Sequence, residues 1–396
     1  MAATTATAGP LHGMRVLDFT HVIAGSWCSM LLADLGADVI KIEPPMGEVT
    51  RTAVGPFRAY DFVNRNKRAL AVDMAKPEGA AALHRLAARA DVWVENFRPG
   101  ALQRLGLGYD QLAKVNPSLI YCSISGFGQD GPYRARGGLD LVAQAMSGIM
   151  SFVGEPGGRP VSTAVPISDL NAGTFGALGI LAAWAYRQKT GEGQHVETSL
   201  LESALAYTVW EAGLYFTVGE VAQPRGSRHR LAAPYEALQT GDGYIVVGIN
   251  NQRLWRRFCD AIDAPALHDD VRFANPIARV MNREELKAAI EARLASDSTD
   301  HWLEKMLPHG IPCGPINTID KALADPQVQA RGVVVRLGER DFIGSPLKMS
   351  RTPPALRHGP AEIGEHSREV LLEAGFNEGE VDALVANGAI VEGARA

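Results

Sequence analysis

Cysteine is scarce and scattered in this chain. Cys28, Cys122, Cys259 and Cys313 stand far apart, with no C-x-x-C pair and no histidine at zinc-binding spacing. That excludes a disulfide framework or a zinc site and predicts reduced thiols in a cytoplasmic protein. There is no excess of positive charge; the net charge of −5 argues against nucleic acid as a partner. The first ten residues lack both the basic and the apolar region of a secretory signal. The longest apolar run, 173–186, is too short to span a bilayer, so no membrane is expected. A G-x-G-x-x-G turn is missing as well. The first candidate strand leads instead into Asp18-Phe-Thr-His-Val-Ile-Ala-Gly25, which argues against a dinucleotide enzyme although Glu43 ends the second strand. No internal repeat is visible.

What is present suits an α/β enzyme. With 396 residues, 46% of them hydrophobic, the chain is long enough for two domains or one large domain with an insertion. Residues 14–19 read as a buried strand, 24–35 as a helix stopped by Gly36, and 38–43 as a second strand. Strand, helix and strand in that space imply a right-handed crossover and a parallel sheet. The rhythm continues with strands at 69–74, 91–95 and 118–123, a helix at 77–90, a strand at 194–199 and a helix at 200–218. Ligands of such sheets gather at the carboxyl ends of the strands. Composition shifts at 223–233, where Arg225, Arg228, His229 and Arg230 form either a solvated linker or a patch for an acidic ligand. A hairpin is predicted across Thr240-Gly-Asp-Gly243, then helices at 253–262, 283–295 and 300–309, with loops at 314–316 and 325–327. Beyond 337, Pro346, Pro353 and Pro354 exclude regular helix until short helices at 367–374 and 378–386. The expected division is 1–222, 223–336 and 337–396.

Several stretches carry candidate chemistry. Asp169 stands alone between Pro166 and an apolar run in which Gly173, Gly176 and Gly179 recur every third residue. Helical glycine costs about 1 kcal/mol against alanine, so the repeat predicts close approach by a backbone or a ligand. At a helix N-terminus Asp169 is either a cap or a carboxylate kept ionised in a narrow cavity and usable as a nucleophile. Asn96, Phe97, Arg98 and Arg104 suit a ligand with phosphates and a flat base, or else form a solvated loop and helix. Residues 126–133 read as a turn-rich loop, and Gly137 to Ala145 opens a helix with Asp140 as its candidate cap.

Taken in order, these motifs resemble the class III CoA-transferases, a family that includes formyl-CoA and carnitine CoA-transferases. The resemblance runs through Val16-Leu-Asp-Phe-Thr-His-Val22, Leu35-Gly-Ala-Asp-Val-Ile-Lys-Ile-Glu43, Asn64-Arg-Asn-Lys-Arg68 and Asn96-Phe-Arg-Pro-Gly100. It continues through Asp140-Leu-Val-Ala-Gln-Ala145, Asp169 with Ala172-Gly173, and Thr190-Gly-Glu-Gly-Gln194. It implies a Rossmann-like large domain with a parallel sheet built from both chain ends, a smaller inserted α+β domain, and an interlocked homodimer. Asp169 is the implied nucleophile, passing through an aspartyl-acyl anhydride and an aspartyl-CoA thioester. CoA, a substrate rather than a tightly bound cofactor, is implied to lie along Ile23, Ala24, Val72, Asp73, Met74, Ala75, Asn96, Phe97, Arg98, Arg104, Gly137, Gly138, Leu139 and Asp140. No metal is implied. Against the formyl-CoA enzymes, Pro44 and Ile23 replace an arginine and a glutamine, and the glycine-rich loop is reduced to Gly248-Ile-Asn-Asn-Gln252. These departures point away from oxalate as acceptor, while the arginines near the cleft point to small polar dicarboxylates. Arg51 is a candidate substitute for the missing phosphate contact. The α-methylacyl-CoA racemases of the same family carry a histidine where this chain has Leu139, which holds no proton, so transfer is favoured over racemisation. A non-catalytic acyl-CoA-binding protein is the remaining alternative.

Overall fold

The structure, a computed structural model, describes residues 9–52 and 57–393. Residues 1–8, on which the expected lack of a secretory signal partly rests, lie outside the described residues. The chain divides into two compact units. One comprises residues up to Met150, Ser162–Val221 and the chain from Ala330 onward; the other comprises Ser151–Val161 and Ala222–Gln329.

The strands are, in chain order, β1 (Arg15–Phe19), β2 (Asp38–Glu43), β3 (Lys67–Val72), β4 (Val92–Glu95), β5 (Ile120–Ser125) and β6 (His195–Ser199). There follow β7 (Tyr235–Gln239), β8 (Tyr244–Gly248), β9 (Cys313–Pro315), β10 (Val334–Leu337), β11 (Arg340–Ile343) and β12 (Ile390–Val391). In the first unit seven of them form one sheet in the order β12-β3-β2-β1-β4-β5-β6. From β3 to β6 every pairing is parallel. The edge strand β12 runs antiparallel, Ile390 opposite Val72 and Val391 opposite Ala71, so the C-terminal segment completes the sheet. Two residues carry no readable periodicity, which is why the sequence did not announce this strand.

Both faces of the sheet are covered, and the strands alternate between them as a two-residue period requires. Leu17, Ile40, Leu70, Trp93 and Tyr121 pack against Leu83 and Leu86 of the Pro77–Ala87 helix and against Leu371 and Val381 near the C-terminus. Val16, Val39, Val94, Cys122 and Ile124 face the Ala24–Asp34 and Ile167–Thr190 helices. The glycine repeat is explained there. A Cβ on Gly173 would lie 2.3 Å from the Ala24 carbonyl oxygen, one on Gly176 3.0 Å from Ile124, and one on Gly179 2.6 Å from Val196. Backbone and sheet, not a ligand, make the close approach.

Three expected elements differ, one of them the predicted loop at 325–327, where a helix, Pro326–Ala330, begins with proline in its first turn. The predicted helix at 200–218 is two, Leu200–Ala206 and Val209–Val218, because the Thr208 hydroxyl turns back to donate to the Leu205 carbonyl at 2.8 Å. The predicted loop at 314–316 falls partly in β9, an edge strand on β8 where Pro315 needs no N–H partner.

In the second unit β7, β8 and β9 form an antiparallel sheet over a core containing Trp255, Phe258, Leu286, Ile290 and Trp302. The basic stretch near 228 is bound to this unit rather than free. Arg228 pairs with Glu284 at 2.5 Å, and the His229 ring stacks on Tyr235 with centroids 4.7 Å apart.

Candidate active site

The carboxyl ends of β1, β4 and β5 open into a cleft of about 440 Å3. Its walls are the turn His21 to Ala24 after β1, the loop Asn96 to Pro99 after β4, and Ile124 and Ser125 at the end of β5 with Gly126 beyond it. Arg134, Arg136 and Gly137 to Leu139 form the far side, and Asp169 and Leu200 complete the lining. Gly126 and Gly138 touch backbone to backbone; a Cβ on Gly138 would lie 2.4 Å from the Gly126 Cα.

Buried charge holds the β1 turn in place from beneath. Asp18, Lys41 and Lys67 are all fully buried. Asp18 accepts from the Thr20 backbone N–H at 2.9 Å and from the Ser29 hydroxyl at 2.6 Å. Lys67 Nζ reaches Asp18 at 3.0 Å, Asn64 at 2.7 Å and the Ser26 carbonyl at 3.0 Å. Lys41 donates to the Thr20 carbonyl. Burial alone would raise the Asp18 carboxyl, but the two ammonium groups and the hydroxyls hold it well below the usual range. Burial also lowers Lys67 to about 8 against the pull of Asp18. From the side, Asn96 accepts from His21 N–H and donates to the His21 carbonyl, both at 2.8 Å.

So clamped, the turn tolerates strain. Val22, a β-branched residue, sits at φ +62°, a region such residues avoid. Its N–H donates to the buried Glu48 at 3.0 Å, and His21 Nδ1 lies 3.4 Å from the same carboxylate oxygen. Burial raises Glu48, yet His21, Lys41, Thr50 and that N–H bring it down to about 2.

Asp169 lies in the first turn of the Ile167–Thr190 helix, but it does not cap it. The cap comes from Asp140, 29 residues earlier, whose Oδ1 accepts from Ser168 N–H at 2.8 Å and Asp169 N–H at 3.3 Å. Asp140 Oδ2 accepts from Gln144 at 2.7 Å. The Asp169 carboxyl is thus left for the cleft. It is the sole acid in the lining and has no hydrogen bond or ion pair among the described residues. Burial first, and the Asp140 charge second, push it up to about 7. The expectation that helix and glycines keep it firmly ionised is corrected: desolvation and a like charge outweigh the helix N-terminus. Glu95, under the cleft, is pushed up by burial to about 7 as well, against the pull of Ser123 and Phe97 N–H.

The fold gathers Ile23, Ala24, Asn96, Phe97, Arg98, Gly137, Gly138, Leu139 and Asp169 at this cleft. The other candidates stand elsewhere. Val72 is core, Asp73 closes a turn by accepting from Ala75 N–H at 3.0 Å, and Met74 packs against the core of that face. Arg104 is exposed beyond the lining, and Asp140 sits behind Asp169. Arg51 is not a phosphate ligand in waiting: it is partly buried and spans both oxygens of Glu43 at 2.7 and 2.5 Å, with Tyr60 and the Ala361 carbonyl as further partners. In the second unit, Asn251 of the shortened glycine loop caps the Gln252–Ala261 helix. His21, Glu48, Arg134 and Arg136 were not singled out from the sequence. Arg134 and Arg136 follow a turn-rich loop with no periodicity to mark them, and neither they nor Arg98 has a carboxylate partner among the described residues. Among those residues no helix is long and apolar enough to cross a membrane, and no cluster of histidine, cysteine or acidic side chains is arranged for a metal.

Comparison with known proteins gives a consistent picture. The model of CoA-transferase family III matches residues 11–367. The chain is 38% identical to a succinate–glutarate CoA-transferase of Agrobacterium fabrum, over 92% of this chain and 95% of that protein. It is 37% identical to the succinyl-CoA:glutarate CoA-transferase of Mus musculus, over 96% and 90%, and 39% identical to an acetyl-CoA:oxalate CoA-transferase of Acetobacter aceti, over 92% and 96%. A crystal structure of a CAIB/BAIF family protein from Brucella suis superposes with a TM-score of 0.87 at 35% identity, covering 93% of this chain and all of that one.

Proposed function

The chain belongs to CoA-transferase family III and is a CoA-transferase, and from that premise we propose that Asp169 carries the acyl group and then CoA in turn. The observation behind this reading is one uncompensated carboxylate at a helix N-terminus, facing a cleft whose other charges are arginines. The Asp169 carboxylate attacks the thioester carbonyl, the C–S bond breaks, and CoA leaves as thiolate from a mixed anhydride. The thiolate attacks the aspartyl carbonyl of that anhydride, releasing the first acid as carboxylate and leaving an aspartyl-CoA thioester. A second carboxylate repeats both steps in reverse and regenerates Asp169. Burial leaves the Asp169 carboxylate poorly solvated, and so more reactive when ionised, while the backbone N–H groups of Gly137 and Gly138 are candidate donors to the oxyanions. Arg98, Arg134 and Arg136 would take the CoA phosphates, and Phe97 would flank the base. Small dicarboxylic acids are the acceptors we favour. Leu139 occupies the place a racemase would need for a proton carrier.

The two units correspond in this reading to a large domain built from both chain ends and an inserted smaller one. A homodimer is supported by the Val209–Val218 helix, which buries none of its residues. Trp210 and Phe216 are 69% and 82% exposed, an apolar face that calls for a cover. The mechanism is tested by incubating the enzyme with succinyl-CoA and a panel of acids, trapping with hydroxylamine or borohydride, and mapping peptides by mass spectrometry. Label on the Asp169 peptide is expected; label elsewhere, or full CoA exchange by Asp169→Ala, overturns it.

A further inference from the structure

The first turn of the Ile167–Thr190 helix borders two cavities. Asp169 faces the arginine-walled cleft, while Pro166 and Leu170 line a second cavity of about 630 Å3, and Ile23 belongs to the walls of both. That volume lies within the range of about 300–1,000 Å3 usual for small-molecule sites. Its lining is mostly apolar: Trp27, Leu31, Phe62, Val63, Leu170 and Ile343. Arg65 and Asp34 also reach it, but they pair with each other at 2.7 Å and bring no net charge. Arg331 and Lys348 differ. Both line the cavity and are exposed, and neither has an ion pair or hydrogen bond among the described residues.

We propose that this second cavity is the acyl-chain subsite, taking a chain with an apolar body whose far end bears a second carboxylate, held by Arg331 and Lys348. The inference rests on Asp169 being the acyl-accepting group. With the thioester carbonyl at Asp169 and CoA in the cleft, the acyl chain leaves past Ile23, the side chain common to both cavities, toward Leu170 on the apolar wall. Methylene groups then lie against aromatic and aliphatic side chains, and a terminal carboxylate meets the two free cations. A monocarboxylic acyl chain fills the same walls and leaves both cations without a partner, so the site discriminates by the far end of the chain.

The test measures binding without turnover, using the full-length Asp169→Asn enzyme and titration calorimetry. Glutaryl-CoA is compared with valeryl-CoA, suberyl-CoA with octanoyl-CoA, and free CoA serves as reference. Each dicarboxylic thioester is expected to bind about tenfold tighter than its monocarboxylic partner. Adding Arg331→Ala with Lys348→Ala removes that preference, and Val63→Trp weakens all four thioesters relative to CoA. Loss of neither preference nor chain affinity overturns the proposal. So does a change in oligomeric mass with unaltered affinities, which would make the cavity a subunit interface. Should trapping place the acyl group on another residue while the calorimetric contrast persists, the mechanism falls and the subsite stands.

Discussion

Replacing Asp140 by asparagine separates the two causes that hold the Asp169 carboxyl near pH 7. Burial is the larger and remains in the variant; the Asp140 charge is the smaller and is removed. An asparagine Oδ1 can still accept from Ser168 and Asp169 N–H, so the helix start keeps its cap. The cost is at the other oxygen, where the amide meets Gln144 Nε2 instead of accepting from it. If the ionised Asp169 is the nucleophile, kcat/KM in the wild type falls about tenfold per pH unit below about 7, and about one tenth of the carboxyl is ionised at pH 6. The variant's inflection lies lower, though above 3.8 because burial persists. At pH 6 it is expected to outperform the wild type by several-fold, with a ceiling of about tenfold, and at pH 8 the advantage disappears. The assay is CoA transfer followed from pH 5 to 8.5 at constant ionic strength. Glu95 provides the internal control, since it also titrates at about 7 but owes nothing to Asp140. Superimposable profiles for wild type and Asp140→Asn, with an inflection that moves only in Glu95→Gln, would refute the assignment to Asp169.

Further outcomes are expected from stability and binding. The Asp169 carboxyl binds its proton more tightly in the folded chain, at about 7 against 3.8; it therefore costs stability above pH 7, and that cost fades as pH falls toward 3.8. Asp169→Asn should be more stable than the wild type at pH 8, on the order of 2–4 kcal/mol, with the gain shrinking toward pH 4; equal gains in urea melts at both pH values would contradict this. Gly173→Ala drives a Cβ to 2.3 Å from the Ala24 carbonyl and is expected to cost about 1–3 kcal/mol. Gly213→Ala, in a helix with nothing within 4 Å, should gain about 0.5–1 kcal/mol; urea midpoints shifting the same way would falsify the packing account. Arg136→Ala should raise the KM for acyl-CoA about tenfold, with the difference narrowing as salt screens the phosphate contact; an unchanged KM would remove Arg136 from the CoA site.

Much of the fold was legible because its causes are local. Within the runs at 38–43 and 91–95, Val39, Ile40 and Ile42 and the Val92-Trp93-Val94 triplet place apolar side chains on both faces, as a covered parallel strand requires, and the glycines at 173, 176 and 179 told of a close approach. Asp169 stood out as a lone acid between a proline and an apolar run. What the sequence could not tell is which distant groups meet. Asp140 caps a helix that begins 27 positions later, Asn96 clasps the His21 backbone, and Arg51 spends its guanidinium on Glu43.

Local propensity and pattern thus decided where strands and helices form, since period and glycine placement act within a few residues. Proton affinities and free cations were decided only by the folded chain. Burial and like-charge repulsion between Asp140 and Asp169, the pairing of Arg51, and the lack of a partner for Arg331 and Lys348 among the described residues depend on distances between segments that the linear order does not encode.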